Sequence, residues 1–238
     1  MKLQSKLLLV SAVPLLIVFI CITLMLWMQR STTTGNVHEL MYKDAVSNTA
    51  GVKFSFEKSL DAAKGLAADL AFLYENGILD RKTAYEVTHN YIQRSPVFGG
   101  GVVLNKNLLG QDADYAGKDM HDETGIFYPY WYKDGGKLLE DSLAEYPGEY
   151  WYNYAKDNKR PALTEPYPFK MASTGVEYFM VTVSAPIIVR NQVIGVVEME
   201  FSLDELQSYI QNIKPYGTGF TYLISDSGII MASPDIKE

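Results

Sequence analysis

From Leu7 to Met28 the chain runs 22 residues without a charge (LLLVSAVPLLIVFICITLMLWM). About 20 apolar residues span the hydrocarbon of a bilayer, against about 7–15 in the core of a secretory leader, so the run predicts a membrane-spanning helix. A cleaved leader is the competing reading, and the lack of an Ala-x-Ala site before Ser31-Thr32-Thr33-Thr34 weighs against it. Pro14 is compatible with a span because neighbouring groups re-satisfy the freed backbone. Trp27 suits the outer interface, and Lys2 and Lys6 precede the span while only Arg30 follows closely. This charge bias leaves residues 1–6 in the cytoplasm and residues 31–238 outside it.

Past the span the apolar spacing becomes that of an amphipathic helix. Phe56, Leu60, Ala63, Ala67, Leu70 and Tyr74 fall on one helical stripe. They predict a long membrane-perpendicular helix over 31–77, weakened by breaks near Gly35, Gly51 and Gly65 and ended by Asn76-Gly77. Asp80 caps a second helix to about Arg94, with Ala84, Val87 and Tyr91 on one side and Ser95-Pro96 as its stop. The period then shortens to two. Val97–Asn105, Phe127–Lys133, Ala162–Phe169, Glu177–Val189 and Val193–Phe201 read as strands of an antiparallel sheet, with Arg190-Asn191-Gln192 joining the last two.

Ser202 introduces a short helix over Asp204–Ile213, with Leu203, Leu206 and Ile210 at helical spacing. Gly219–Ser233 reads as a hairpin turning at Asp226-Ser227-Gly228. Two strands alone are marginal in water, so residues 214–238 look like the opening of a second sheet module. The fold class is α+β: an N-terminal transmembrane helix (7–28), a long stalk helix (31–77), a PAS-like antiparallel sheet module (78–213) and the start of another (214–238).

Composition narrows the function. A 47 % apolar and 21 % charged chain of 238 residues is globular, not disordered or multispan. Its net charge is −7, and with Lys2 and Lys6 set aside the remainder carries 19 basic against 28 acidic side chains. Nucleic acid is therefore an unsuitable partner. The single cysteine, Cys21, excludes an intrachain disulfide and any multi-cysteine metal site.

Between Phe127 and Phe169, 43 residues hold 12 of the 30 aromatics. Tyrosine and tryptophan join an apolar face to a hydrogen-bonding tip and attract cations, so the cluster suits a pocket for a small polar or cationic molecule as well as ordinary core packing. Alternation puts Tyr128, Tyr130 and Tyr132 on one face and Pro129 and Trp131 on the other, so these rings divide between core and pocket. Asp134 shares the face of Tyr132, where a carboxylate beside a phenol suits an ammonium group, yet it also opens the Asp134-Gly135-Gly136-Lys137 turn. The candidate ligand-binding residues are Tyr130, Trp131, Tyr132, Asp134, Tyr150, Trp151 and Tyr167.

The anchor and long helix, with YPYWYKDGGK (Tyr128–Lys137), LTEPYPF (Leu163–Phe169), VSAPII (Val183–Ile188) and VIGVVEMEFSLDEL (Val193–Leu206), together resemble the double-Cache (dCache) sensor domain of bacterial methyl-accepting chemotaxis receptors. GFTYLISDSGIIMASP (Gly219–Pro234) is similar to the start of that family's membrane-proximal module. The resemblance implies a plasma-membrane protein with a distal ligand-binding module, a proximal module, a second spanning helix and a cytoplasmic signalling region. It implies extracytoplasmic sensing and no catalysis in these residues, and the long membrane-perpendicular helix makes a homodimer the expected assembly. Amino-acid-binding members carry Arg-x-Trp-Tyr-x-Asp and a later aspartate; Trp131, Tyr132 and Asp134 match, whereas Pro129 replaces the arginine and Phe169 the later aspartate. Loss of the bidentate carboxylate partner tilts the expected ligand toward an amine, ahead of an amino acid or carboxylate. The same ectodomain serves histidine kinases and diguanylate cyclases, and an anchored solute-binding protein is a further alternative.

Other chemistry lacks a pattern. Asp112, Asp114 and Glu123 approach a calcium-loop spacing, but Ala116 stands where an oxygen ligand belongs, so the segment reads as a solvated acidic loop. His38, His89 and His121 are scattered without metal-ligand spacing, and no cofactor is expected. Gly99-Gly100-Gly101 precedes a strand and so does not cradle phosphate; it reads as close backbone approach at a sheet edge or pocket.

Overall fold

The computed structural model describes residues 3–142 and 146–234. Met1 and Lys2 of the expected cytoplasmic segment, and residues 235–238 of the expected second module, lie outside the described residues. The chain divides into two compact units, residues 1–50 and 51–238.

Helix α1 spans Leu3–Glu75. In the first unit its side chains from Leu16 to Met28 include eleven large apolar residues that are exposed. Among the described residues α1 is the one helix long and apolar enough to cross a membrane. Thr23 Oγ1 donates to the carbonyl of Ile20 at 2.8 Å, which satisfies the hydroxyl within the apolar stretch. The breaks expected at Gly35, Gly51 and Gly65 are absent, because helix hydrogen bonding outweighs an isolated glycine's cost of about 1 kcal/mol. Gly51 instead makes room: a Cβ there would lie 2.0 Å from Tyr209 Oη.

In the second unit α1 buries Ala63, Ala67 and Leu70 of the predicted stripe, and Leu66 beside it. Helix α2 spans Arg81–Arg94, capped by Asp80, whose Oδ1 accepts from the Thr83 amide at 2.7 Å. Its buried row is Ala84, Thr88 and Ile92, with Val87 and Tyr91 partly buried beside it.

The main sheet is antiparallel and seven-stranded. Its strands are β1 (Gly99–Leu104), β2 (Pro129–Asp134), β3 (Lys137–Ser142), β4 (Ala162–Leu163), β5 (Tyr167–Lys170), β6 (Glu177–Val189) and β7 (Gln192–Ser202). The order is β3-β2-β1-β7-β6-β4, with β5 pairing further along β6. The expected strand 162–169 is thus two short ones. Between them, Thr164 Oγ1 accepts the Thr182 amide at 2.9 Å in place of a ladder bond.

Strand β3 and helix α3 (Tyr150–Asn158) were not expected from the pattern. Helix α4 (Leu203–Gln211) follows β7, and Ser202 Oγ accepts from the Glu205 amide as its cap. Strands β8 (Leu223–Ile224) and β9 (Ile230–Ala232) form a separate two-stranded sheet, whose Met231 and Ala232 pack with Leu206 and Ile210 of α4.

Helices cover both faces of the main sheet. On one, α1 and α2 pack over Val102, Leu104, Trp131, Val197 and Met199. On the other, α3 packs over Val103, Tyr130, Tyr132, Met180 and Val196. The glycine triplet lies in central β1, between β2 and β7, and not at an edge. A Cβ on Gly100 would meet Glu198 O at 2.6 Å and Ile92 Cδ1 at 2.7 Å, so the bare backbone lets α2 lie against the sheet.

The loop expected to be solvated is pinned instead. Asp112 is 3 % exposed, pairs with Arg81 Nη2 at 2.6 Å, and accepts the Asn107 amide at 2.6 Å. Arg81 also lies over the Tyr115 ring at 3.9 Å. A largely buried arginine supplied by α2 makes burial of the carboxylate tolerable.

Gly100→Ala is expected to destabilise the fold by about 1–3 kcal/mol, since both obstructing groups sit in packed structure. Thermal unfolding followed by circular dichroism checks this; an unchanged midpoint would remove the close-approach role.

Candidate functional site

Strand β7 is buried from Ile194 to its end, and two of its central residues are glutamates. Glu198 and Glu200 alternate with Val197, Met199 and Phe201, so both carboxylates lie on the α3 face. The β6–β7 hairpin fixes them there. Its turn residues Arg190 and Asn191 have φ of 48° and 66°, the left-handed pair of a tight hairpin, and the register sets Thr182 opposite Glu200 and Ser184 opposite Glu198.

A cavity lies over these carboxylates. Tyr146, Glu149 and Trp151 line it from the start of α3 and the 3-10 turn before it, and Tyr167 and Phe169 line it from β5. The space in it open to a water-sized group is about one water in size.

The two carboxylates differ in their partners. Glu200 accepts from Tyr130 Oη and, at 3.5 Å each, from Tyr167 Oη and Thr182 Oγ1. Tyr167 and Thr182 also share a 2.5 Å hydrogen bond, which commits one of their two hydroxyl hydrogens and leaves the other for Glu200. Neither oxygen of Glu198 has a hydrogen-bonding partner among the described residues, and the residue is 0 % exposed. Burial holds the Glu198 carboxyl well above the usual range, reinforced by the charges of Glu200 and Glu149. Burial also pushes Glu200 up, to about 7, against the lowering effect of its hydroxyl donors. The Tyr130 and Tyr167 phenols are raised by burial and then by the glutamates, so both stay protonated as donors.

Of the residues expected from sequence, Trp151 and Tyr167 line the cavity and Tyr130 binds Glu200 from beneath it. Tyr132 shares the face of Tyr130 but lies further along, packed with Phe98 and Tyr178. The structure does not bring the other three to the cavity. Trp131 faces α2, edge-on to Tyr85 at 4.9 Å; Asp134 is exposed at the β2–β3 turn opposite Lys137; Tyr150 is exposed beside Tyr154. Alternation, turn chemistry and the helical phase of α3 account for these three positions.

Sequence reasoning missed Glu198 and Glu200 as site residues. The available signal was two acids at a spacing of two within the apolar run Val193–Phe201. On a strand buried on both faces, such acids can reach only the interior.

Residues 84–208 match the family described as methyl-accepting chemotaxis protein-like, first PDC sensor domain. The chain belongs to that family of ligand-binding, extracellular sensor domains. It is 33 % identical over 87 residues to the methyl-accepting chemotaxis protein PscA of Pseudomonas syringae pv. tomato, covering 37 % of this chain and 13 % of that protein. It is 24 % identical over 212 residues to the methyl-accepting chemotaxis protein PctB of Pseudomonas aeruginosa, covering 77 % of this chain and 32 % of that one. The chain thus spans a third or less of these curated relatives. The extracellular domain of the putative histidine kinase mmHK1S-Z3 superposes with a TM-score of 0.67 at 26 % identity, over 77 % of this chain and 66 % of that domain.

Two outcomes follow from the geometry. The folded state binds protons on Glu198 and Glu200 that the unfolded chain, with carboxyls near 4.5, releases. Their contribution is therefore full below pH 4.5 and is lost as pH rises through about 7, at up to about 1.4 kcal/mol per pH unit for each proton. The melting temperature of the unliganded chain in amine-free buffer should fall across that window, and Glu198→Gln should shrink the fall; a flat wild-type profile would contradict it. Trp131→Ala should cost about 3–5 kcal/mol of stability as a core truncation, measured by denaturant unfolding.

Proposed function

We propose that the chain is the extracytoplasmic sensing portion of a transmembrane chemoreceptor, with the cavity over β7 as the site for a small amine-bearing molecule. The observation that carries the ligand class is Glu198, a buried carboxylate without a hydrogen-bond donor among the described residues, lining an aromatic cavity beside Glu200. Burying unpaired carboxylates is costly, and an ammonium group supplies both the charge and the donors they lack. Trp151, Tyr167 and Phe169 line the same cavity, and aromatic rings suit a cation's remaining surface.

In this reading residues 7–28 span the plasma membrane, 31–77 form the stalk, 78–213 the distal module and 214–238 the start of a membrane-proximal one. The protein acts as a homodimer and performs no catalysis itself. Signalling needs the ligand to favour one of two conformations, since equal affinity shifts nothing. Strand β7 is placed to carry such a shift, because its glutamates face the cavity while Val197 and Met199 pack in the cluster that holds α1. The likeness to a kinase's extracellular domain favours one second reading, in which the same sensor drives a histidine kinase.

Calorimetric titration of the chain with amines, amino acids, carboxylates and purines tests the ligand class. Amines are expected to bind, with Glu200→Gln weakening them about 10–100-fold and Trp151→Ala about 10-fold. Asp134→Ala should leave affinity unchanged. Tight binding of a carboxylate with no response to any amine would overturn the assignment. An antibody to residues 31–238 should detect a native membrane polypeptide well above 26.7 kDa, and a band at that mass would refute a receptor with an attached output domain.

A further inference from the structure

The groups facing the two glutamates supply hydrogen bonds to only one of them. From β2 comes Tyr130; from β5, Tyr167; from β6, Thr182 and Ser184. Ser184 Oγ is turned to the carbonyl of Trp151 at 2.8 Å. From the start of α3 and the turn before it come Tyr146, Glu149 and Trp151. Asp141 on β3, opposite Tyr130, accepts from the Ser173 amide and hydroxyl. Among the described residues, no lysine, arginine or histidine forms a salt bridge with Glu198 or Glu200 or lines the cavity.

Two neighbouring carboxylates in one dry site cannot both ionise without a cation, and a proton is the cation always at hand. Resting on the amine reading above, we propose that the cavity is a proton–cation exchanger, in which Glu198 carries a proton in the unliganded domain and gives it up when an ammonium group seats between Glu198 and Glu200. The arrangement of donors assigns the positions: the Tyr130 hydroxyl and one from the Tyr167–Thr182 pair hold Glu200 as the carboxylate, and among the described residues none holds Glu198. The exchange balances. The neutral acid and the ammonium ion become a carboxylate–ammonium pair, and the released proton passes to solvent; no other bond forms or breaks. These two glutamates and their guest carry a net charge of −1 before and after, so the site changes occupant without changing charge. The sensor consequently responds to the ratio of amine to proton, and a given amine concentration registers more strongly as the surroundings turn alkaline.

The test uses the full chain in lipid nanodiscs, with methylammonium chloride as the probe. Titration at about pH 8, above the value of about 7 through which Glu200 ionises, in phosphate and again in MOPS, reads the protons released from the difference in heat between buffers of unlike ionisation enthalpy. The expected result is about one proton released per methylammonium bound, with affinity rising up to about tenfold per pH unit while Glu198 is protonated. Glu198→Gln should abolish the release and flatten the pH dependence. Difference infrared spectra of the wild type should show loss of a protonated-carboxyl band on binding, a readout that survives if the variant does not fold. Methylammonium binding without proton release, and with pH-independent affinity, would overturn the exchange and leave the amine site standing. Absence of methylammonium binding at every pH from about 5.5 to 8.5 would overturn the amine reading and the exchange together.

Discussion

Burial of two carboxylates in the middle of β7 is the constraint around which the second unit is arranged. Each ionised group taken out of water costs several kcal/mol unless it is paired or neutralised. The sheet nevertheless places Glu198 and Glu200 at 0 % and 1 % exposure, roofed by α3 and β5. Tyr130, Tyr167 and Thr182 offset part of the cost on one of them, each from a different strand, so three strands are held in register by a single carboxylate. Hydrophobic residues at both positions would make a simpler core, so the acids are there for something other than stability.

How much of this the sequence discloses depends on whether an element is local or tertiary in origin. Helix α2 and helix α4 begin where Asp80 and Ser202 sit, because an N-cap is a contact between residues three apart. The β6–β7 hairpin is legible for the same reason. Strand β3 is not: KLLEDS sets two leucines side by side and acids after them, so it has no alternation and exists because β2 pairs with it. Helix α3 hides inside an aromatic run whose rings mask the helical phase, and only Trp151, Tyr152 and Ala155 turn inward.

The site follows the same division. Alternation separates Trp131 from Tyr130 and Tyr132, but which face carries the cavity depends on what roofs it, and α1 and α3 come from distant parts of the chain. Glu198 and Glu200 stand openly in the sequence, yet an acid in a strand reads as solvated until both faces of the sheet are known to be covered. The glycine triplet illustrates the converse: close approach was legible, while its place at the centre of the sheet is a property of strand order.

The outermost strand beyond β6 is broken into β4 and β5, and Pro166 and Pro168 stand within the stretch 162–170. Proline has no amide hydrogen to offer an incoming strand, and so short and interrupted a border is a poor template for one. At the opposite border, β3 is six residues long and carries Lys137, Glu140 and Asp141. Neither rim of the sheet invites a second molecule to extend it. The module is guarded against zipping edge to edge into sheets with copies of itself, and any ordered contact between copies is left to surfaces made of helix.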